Sequence, residues 1–362
     1  MTGKQAGSGI YKAARRAIGS ASAIAAFVLL GMGPVHCQSG DRIVSEGEVV
    51  TATAISAFFN LASVGECFHA DAAYFPYLFL GTVTLQNLPS LIYGSQGALG
   101  NYGLQLGLDG LVVANEAGIK SSALEPVLFN FAHKYSMFGT YAAYADLRLR
   151  TKEADYSQIK RYSFTELLSA PFDPACYSHW SVLGYLGTKL LITGIEMACG
   201  DASNSVWAKG SAYIGATRFP VWAGVGLMLA LQIPNFVMTG VGEESLFRGV
   251  YYEELSHRLG EWPAKITDAL YFTVCHYPQQ WDKLMAESPG QVAATTGLSM
   301  LDAFWFQYVY EWEGLRAAVA THAAVDTLAF FCDWLFQGGV PNSSGFSIDN
   351  KELSISVKLS LF

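Results

Sequence analysis

Charge is scarce in this 362-residue chain: Asp, Glu, Lys and Arg make up only 14% of it, against about a quarter in soluble proteins. Basic residues are the scarcer kind, 22 Lys and Arg against 30 Asp and Glu, for a net charge of -8. Without a basic stripe to neutralise phosphates, a nucleic-acid partner is excluded. The six cysteines, Cys37, Cys67, Cys176, Cys199, Cys275 and Cys332, form no CxxC pair and no zinc-ligand spacing. That excludes a disulfide framework and a thiolate zinc site, and the cysteines read as small apolar packing residues. Internal repeats and low-complexity runs are also lacking.

Apolar residues are abundant instead, at 51%, which is the composition of a membrane protein. Mean hydropathy is only +0.26, because polar connections such as residues 148–161 and 201–209 dilute the apolar runs. At the start, Lys4, Lys12, Arg15 and Arg16 precede an apolar run from Ala17 to Met32, then Gly33 and Pro34. This layout marks residues 1–37 as a signal peptide or a retained signal anchor, the two alternatives standing open.

Apolar runs near the twenty residues that a bilayer requires predict about eight spans: 49–65, 74–94, 123–147, 177–198, 219–240, 264–277, 292–311 and 315–336. The expected fold class is therefore all-α, a polytopic transmembrane helical bundle. Residues 38–176 are expected to form an N-terminal accessory membrane region. It ends in an amphipathic connection carrying Phe164, Leu167, Leu168 and Phe172. Residues 177–337 form the core, and residues 338–362 a short C-terminal extended tail in which Leu353, Ile355, Val357, Leu359 and Leu361 alternate. The continuous apolar runs argue for helices and against a β-barrel. Basic residues in 1–16 and 148–161 place both segments on the cytoplasmic side.

Three short pieces beside or inside these runs carry groups that lipid does not tolerate: Glu243, Glu244 and Arg248; Phe272 and His276; His322 and Asp326. An ionised side chain at the bilayer centre costs roughly 3 kcal/mol even on the lenient insertion scale, so such groups face a protein interior or a water-filled cavity. Each set contains a pair four residues apart, and on a helix such pairs share a face. Three helices then point toward one centre, with Glu243 turned about 100° from Glu244. A carboxylate beside imidazoles in a low-dielectric cavity is equipment for activating water. Taken alone, the acidic pair before Arg248 reads as a surface helix pair; the preceding Gly240, Val241 and Gly242 and the upstream apolar run favour the buried reading. Elsewhere, His133 reads as a hydrogen-bonded core histidine, Glu196 as a span-end residue, His257 and Arg258 as an interfacial face, and Asp302 as an interhelical hydrogen-bonding group.

The stretches Glu243-Glu244-Ser-Leu-Phe-Arg248, Phe272-Thr-Val-Cys-His276 and His322-Ala-Ala-Val-Asp326 resemble the EExxxR, FxxxH and HxxxN/D motifs of the CPBP family. That family comprises CAAX prenyl proteases and bacteriocin-processing enzymes, described as glutamate-type intramembrane proteases. The resemblance covers roughly residues 219–336. It implies an endopeptidase that cleaves a membrane-embedded or lipidated substrate at the bilayer, in a multi-pass protein of the bacterial inner (cytoplasmic) membrane. It further implies Glu243 as general base, His276 as a water-binding group, Glu244 orienting Arg248 or His276, and His322 with Asp326 stabilising the oxyanion. Asp326 departs from the Asn usual in the prenyl-protease branch. An ionised Asp there opposes an oxyanion, so it is protonated, orients His322 from behind, or ligates a metal. In the last case Glu243, His276, His322 and Asp326 are zinc candidates. Two other readings compete: a non-catalytic relative that binds a partner, and a proton-coupled transporter, although no duplicated halves are evident.

Overall fold

The apolar runs fold as helices. A computed structural model describes residues 43–66, 75–95, 97–115, 125–151, 159–199, 203, 205–214, 217–277, 288–336, 346–349 and 354–357; the expected signal segment 1–37 lies outside them. The chain begins with α1 (Glu46–Glu66), α2 (Phe75–Gln86), α3 (Leu88–Ile92), α4 (Ala98–Ala114) and α5 (Glu125–Leu149). After α6 (Phe164–Ser169) come two 3₁₀ turns, then α7 (Trp180–Cys199) and α8 (Val206–Lys209). A hairpin of β1 (Ala212–Ile214) and β2 (Thr217–Phe219) leads into α9 (Val221–Leu246), a π-helical turn at Phe247–Tyr252, and α10 (Glu253–Leu259). The chain continues through α11 (Glu261–Cys275), α12 (Pro289–Glu313) and α13 (Leu315–Phe336). Helices dominate the described residues, as the apolar runs predicted. The tail, expected as one extended stretch, contains an antiparallel hairpin, β3 (Phe346–Asp349) with β4 (Ser354–Val357).

Local chemistry sets several helix starts. Ser163 accepts from the Glu166 amide while the Glu166 carboxylate accepts from the Ser163 amide, opening α6; Ser288 and Gln291 do the same for α12, with Pro289 in its first turn. Each such cap contributes about 1 kcal/mol by satisfying donors that no carbonyl can reach.

Among the described residues, three helices are long and apolar enough to cross a bilayer: Glu46–Glu66, the continuous run Val221–Leu259, and Leu315–Phe336. The other expected spans coincide with helices that are shorter or more polar. At 15 residues, α11 is about 22 Å long, less than the ~30 Å hydrocarbon core. The run 74–94 divides into α2 and α3, broken around Asn87 and Pro89. Of the amphipathic connection, only six residues become α-helix; Leu167 is fully buried in the main core while Phe172 is exposed.

Helix α4 was not among the expected spans. It buries Gln105 and Asp109, bonded to one another and to the Ala132 carbonyl and Thr84 hydroxyl, while Leu99, Leu104, Leu106 and Leu111 face outward. Polar inside and leucine outside is the arrangement that lipid favours.

Helix α9 lies at the centre, packed along α13 on one side and α5 on the other. Two glycines make both approaches close. A Cβ at Gly240 would stand 2.9 Å from the Val319 carbonyl oxygen, and one at Gly242 would stand 2.7 Å from Lys134 Cβ. Both contacts are tighter than real Cβ atoms tolerate, so the backbones meet only where the side chain is absent. Around this crossing a single apolar core gathers Val49 of α1, Tyr135, Phe138 and Tyr141 of α5, Val241 and Leu246 of α9, and Val319 and Ala323 of α13. Beside it, buried Arg148 of α5 pairs with Glu46 of α1 at 2.5 Å and with Glu254 of α10. The N-terminal helices and the three-motif helices thus share one interior.

Candidate active site

Four helices bring polar side chains to one buried cluster. Neighbours on α9, Glu243 and Glu244 diverge by about 100°, so each addresses a different flank. The π-turn at Phe247–Tyr252 widens the helix directly after them and carries Arg248. Such turns recur at functional sites because they re-aim side chains that a regular helix would misplace. The last two turns of α11 supply Asp268, Phe272 and, at the helix C-cap, His276. Helix α13 supplies His322 and Asp326, and α5 supplies Lys134.

On the first flank, Arg248 Nη1 donates to Glu244 Oε1 over 3.3 Å and Nη2 donates to the Ala303 carbonyl at 3.0 Å. The guanidinium carbon sits 4.5 Å from the Phe272 ring centroid and 5.3 Å from that of Phe306. A planar cation between two aromatic faces is held by their quadrupoles as well as by its hydrogen bonds. Asp268 Oδ2 stands 3.9 Å from Arg248 Nε and accepts from Gln307 at 2.8 Å. The same Glu244 oxygen lies 2.6 Å from His322 Nδ1. Phe306 stacks on the His322 ring, centroids 4.6 Å apart and planes within 9°, so the imidazole is fixed in both tilt and rotation.

The second flank faces Glu243, whose side chain is only 3% exposed. Lys134 Nζ donates to its Oε1 at 2.6 Å. Its Oε2 makes no hydrogen bond among the described residues; His276 Nε2 is 3.4 Å away and His322 Nε2 3.7 Å. The other nitrogen of His276, Nδ1, stands 2.7 Å from the Phe272 carbonyl oxygen, which can only accept. That puts a proton on Nδ1, so that in the neutral ring Nε2 carries the lone pair. Asp326 Oδ2 lies 3.3 Å from His322 Nε2, and its side chain, 22% exposed, is the most open of the group. Asp326 and His276 are the partly exposed members, at 22% and 13%, while Glu243, Glu244, Arg248 and His322 are buried.

All six residues singled out in the sequence, Glu243, Glu244, Arg248, His276, His322 and Asp326, meet in this cluster. Of the two partners expected for Glu244, Arg248 is the one it holds, and the histidine it engages is His322 rather than His276. Asp326 does not stand behind His322; Glu244 holds the rear nitrogen, and Asp326 shares the Nε2 side with Glu243. Lys134 and Asp268 were missed. Asp268 carried a signal, since it lies four before Phe272 and eight before His276 on one helical face. Lys134 had a weaker one, an ammonium inside an apolar run. Elsewhere, Asp302 accepts from Tyr185 and pairs with Lys189, an interhelical role as expected. The buried Nε2 of His133, expected to be hydrogen-bonded, has no such partner among the described residues, and its ring packs edge-on against Phe79.

Zinc fits this donor set poorly. Lys134 already places a cation on Glu243, the one carboxylate that faces both imidazoles, and would repel a second. Among the described residues no three His, Cys, Asp or Glu side chains are grouped to hold a metal ion.

Residues 225–328 match the family model described as type II CAAX prenyl endopeptidase Rce1-like. The matched segment begins in α9 and ends in α13, so it contains all three motifs and Asp268, and it falls within the stretch where the motifs carry the CPBP resemblance. It does not contain Lys134. Searches of curated proteins and of solved structures gave no match.

Proposed function

We propose, on the premise that residues 225–328 form an Rce1-like segment of the CAAX prenyl endopeptidase family, that this multi-pass membrane protein hydrolyses a peptide bond at the bilayer with Glu243 as general base. One observation carries the reading. Glu243 Oε2 is buried without a hydrogen bond and is held 3.4 Å and 3.7 Å from two imidazole nitrogens. An orphaned carboxylate oxygen costs about 1–3 kcal/mol or more, a cost that a fold retains where chemistry needs the free lone pair.

A water seated between Glu243 Oε2 and His276 Nε2 donates one proton to each acceptor and turns its oxygen lone pairs away from both. As its oxygen attacks the scissile carbonyl carbon, Glu243 takes the proton and the carbonyl π electrons move onto oxygen. His322, as an imidazolium whose Nδ1–H is given to Glu244, donates its Nε2–H to that oxyanion. Glu243 then passes its proton to the amide nitrogen, the oxyanion electrons re-form the carbonyl as the C–N bond breaks, and a carboxylic acid and an amine leave, the acid's proton passing to the amine to give carboxylate and ammonium. Arg248 stays with Glu244 and fixes its carboxylate, acting through His322. The partly exposed side at Asp326 and His276 is the substrate's way in.

The substrate class this supports is a membrane-associated, prenylated protein tail, in keeping with the family description, cleaved within the inner membrane of a bacterial cell. The purified full chain in detergent, given a prenylated peptide and its unprenylated twin, is expected to cleave the prenylated one. Replacement Glu243→Gln should lower kcat by about 10²–10⁴, the range for loss of a general base. Equal cleavage by the variant, or none by either, would overturn the proposal, and the latter result would leave a non-catalytic relative.

A further inference from the structure

We infer that Lys134, which lies in the N-terminal half and outside the family-like segment, is a positioning residue for the same hydrolysis: it grips one oxygen of Glu243 so that the other stays ionised and aimed at the two imidazoles. The inference rests on the reading of Glu243 as base and adds the part of the chain that controls it.

The placement of Lys134 is fixed by its backbone and not by the reach of a long side chain. Gly242, the residue before Glu243, packs directly on Lys134: a Cβ there would lie 2.8 Å from the Lys134 Cα and 2.8 Å from its carbonyl oxygen. Rotation is fixed one turn away by a second polar contact, where Asn130 Nδ2 donates to Asn235 Oδ1 at 2.7 Å. Asn130 and Lys134 are four apart on α5, and Asn235, Thr239 and Glu243 are spaced by four on α9, so two polar faces meet in register. Lys134 is buried, and the contact between Nζ and Glu243 Oε1 is 2.6 Å.

Electrostatics then assigns the role. Four carboxylates, Glu243, Glu244, Asp268 and Asp326, occupy the cluster and its rim. Arg248 is committed to Glu244 and Asp268 on the far flank. The groups facing Glu243 are Lys134 from α5, His276 from α11 and His322 from α13. Among these, Lys134 is the one that hydrogen-bonds a Glu243 oxygen, through a side-chain amine that has no acceptor role as an ammonium. An unpaired buried carboxylate takes up a proton or disrupts its surroundings, and a protonated Glu243 is no base. Holding Oε1 alone also leaves Oε2 as the sole reactive oxygen, so the grip selects geometry as well as charge state.

The test uses the purified full chain and the prenylated peptide. Lys134→Met should lower kcat at least tenfold with little change in KM, and the acid limb of its rate profile should move to higher pH. Lys134→Arg, which keeps the charge, should recover most of the loss. Because Lys134→Met strands a buried acid, the double variant Lys134→Met/Glu243→Gln is included; its thermal stability should exceed that of Lys134→Met alone. A Lys134→Met protein with wild-type kcat and rate profile, beside an inactive Glu243→Gln, would overturn the inference and leave the protease reading standing. A wild-type chain that cleaves nothing would overturn both. Loss of activity in Lys134→Arg equal to that in Lys134→Met, at unchanged profile, would show a packing role and also overturn the inference.

Discussion

Glu244 Oε1 lies 2.6 Å from His322 Nδ1 and joins residues 78 positions apart in the chain. The contact sets which nitrogen His322 offers to the reaction: with Nδ1 engaged, Nε2 faces Glu243 and Asp326. Removing the carboxylate by Glu244→Ala should cost about 10²–10⁴ in kcat, as loss of the orienting acid does in other imidazole-based hydrolases, with little effect on KM. Residues that act as one unit are non-additive. The double variant Glu243→Gln/Glu244→Ala should therefore be little worse than Glu243→Gln alone when kcat is measured on the prenylated peptide. Full additivity would mean that the two acids serve separate steps.

Asp326 offers a sharper test, since it is the point of departure from the Asn usual at this place. Its Oδ2 lies 3.3 Å from His322 Nε2, on the side where an oxyanion would form. An ionised carboxylate there competes for the imidazole donor and repels developing negative charge; an amide would donate instead. Asp326→Asn is expected to keep activity or raise it up to about tenfold, whereas Asp326→Ala should lower it. A hundredfold fall in Asp326→Asn would show that the negative charge itself is used.

How far the sequence reveals this site depends on the range of the contacts. Pairs four apart on one helix are local, so Glu244 with Arg248, Phe272 with His276 and His322 with Asp326 were legible, and all three pairs touch in the fold. Lys134 and Glu243 are 109 positions apart; nothing in a single chain states which buried cation meets which acid. Helix α4 escaped notice because Gly100, Gly103, Gly107 and Gly110, with Gln105 and Asp109, interrupt its apolar run. Those polar residues are on the inner face, where tertiary hydrogen bonds satisfy them. Likewise the run 219–240 marked a crossing, but the helix continues through Glu243 to Leu259 because the acids are paired inside the bundle rather than hydrated at its end.

Independence of a metal ion is expected from the Lys134 contact on Glu243. A divalent ion bound between Glu243 Oε2 and the two histidines would sit close to Lys134, which is held at 2.6 Å by the other oxygen of the same carboxylate. Cleavage is therefore expected to survive dialysis against a strong chelator, and added zinc should inhibit rather than activate by competing for His276 and His322. Loss of activity on chelation with recovery on zinc would overturn this, and elemental analysis of the active protein would confirm it.

Gly242 controls the distance on which both flanks depend, and one helix supplies its own control. At Gly242 a Cβ would stand 2.7 Å from Lys134 Cβ, while at Gly226, also on α9, nothing lies within 4 Å. Overpacking a tight crossing costs about 1–3 kcal/mol. Replacing a mid-helix glycine by alanine in open space instead gains about 0.5–1 kcal/mol. Gly242→Ala should thus lower the melting temperature and also reduce kcat, because pushing α5 from α9 lengthens the Lys134 to Glu243 contact. Gly226→Ala should leave kcat unchanged and raise the melting temperature slightly. Opposite signs for one substitution on one helix would locate the effect at the crossing; equal effects at both positions would place it in the helix alone and remove the geometric link between Gly242 and the base.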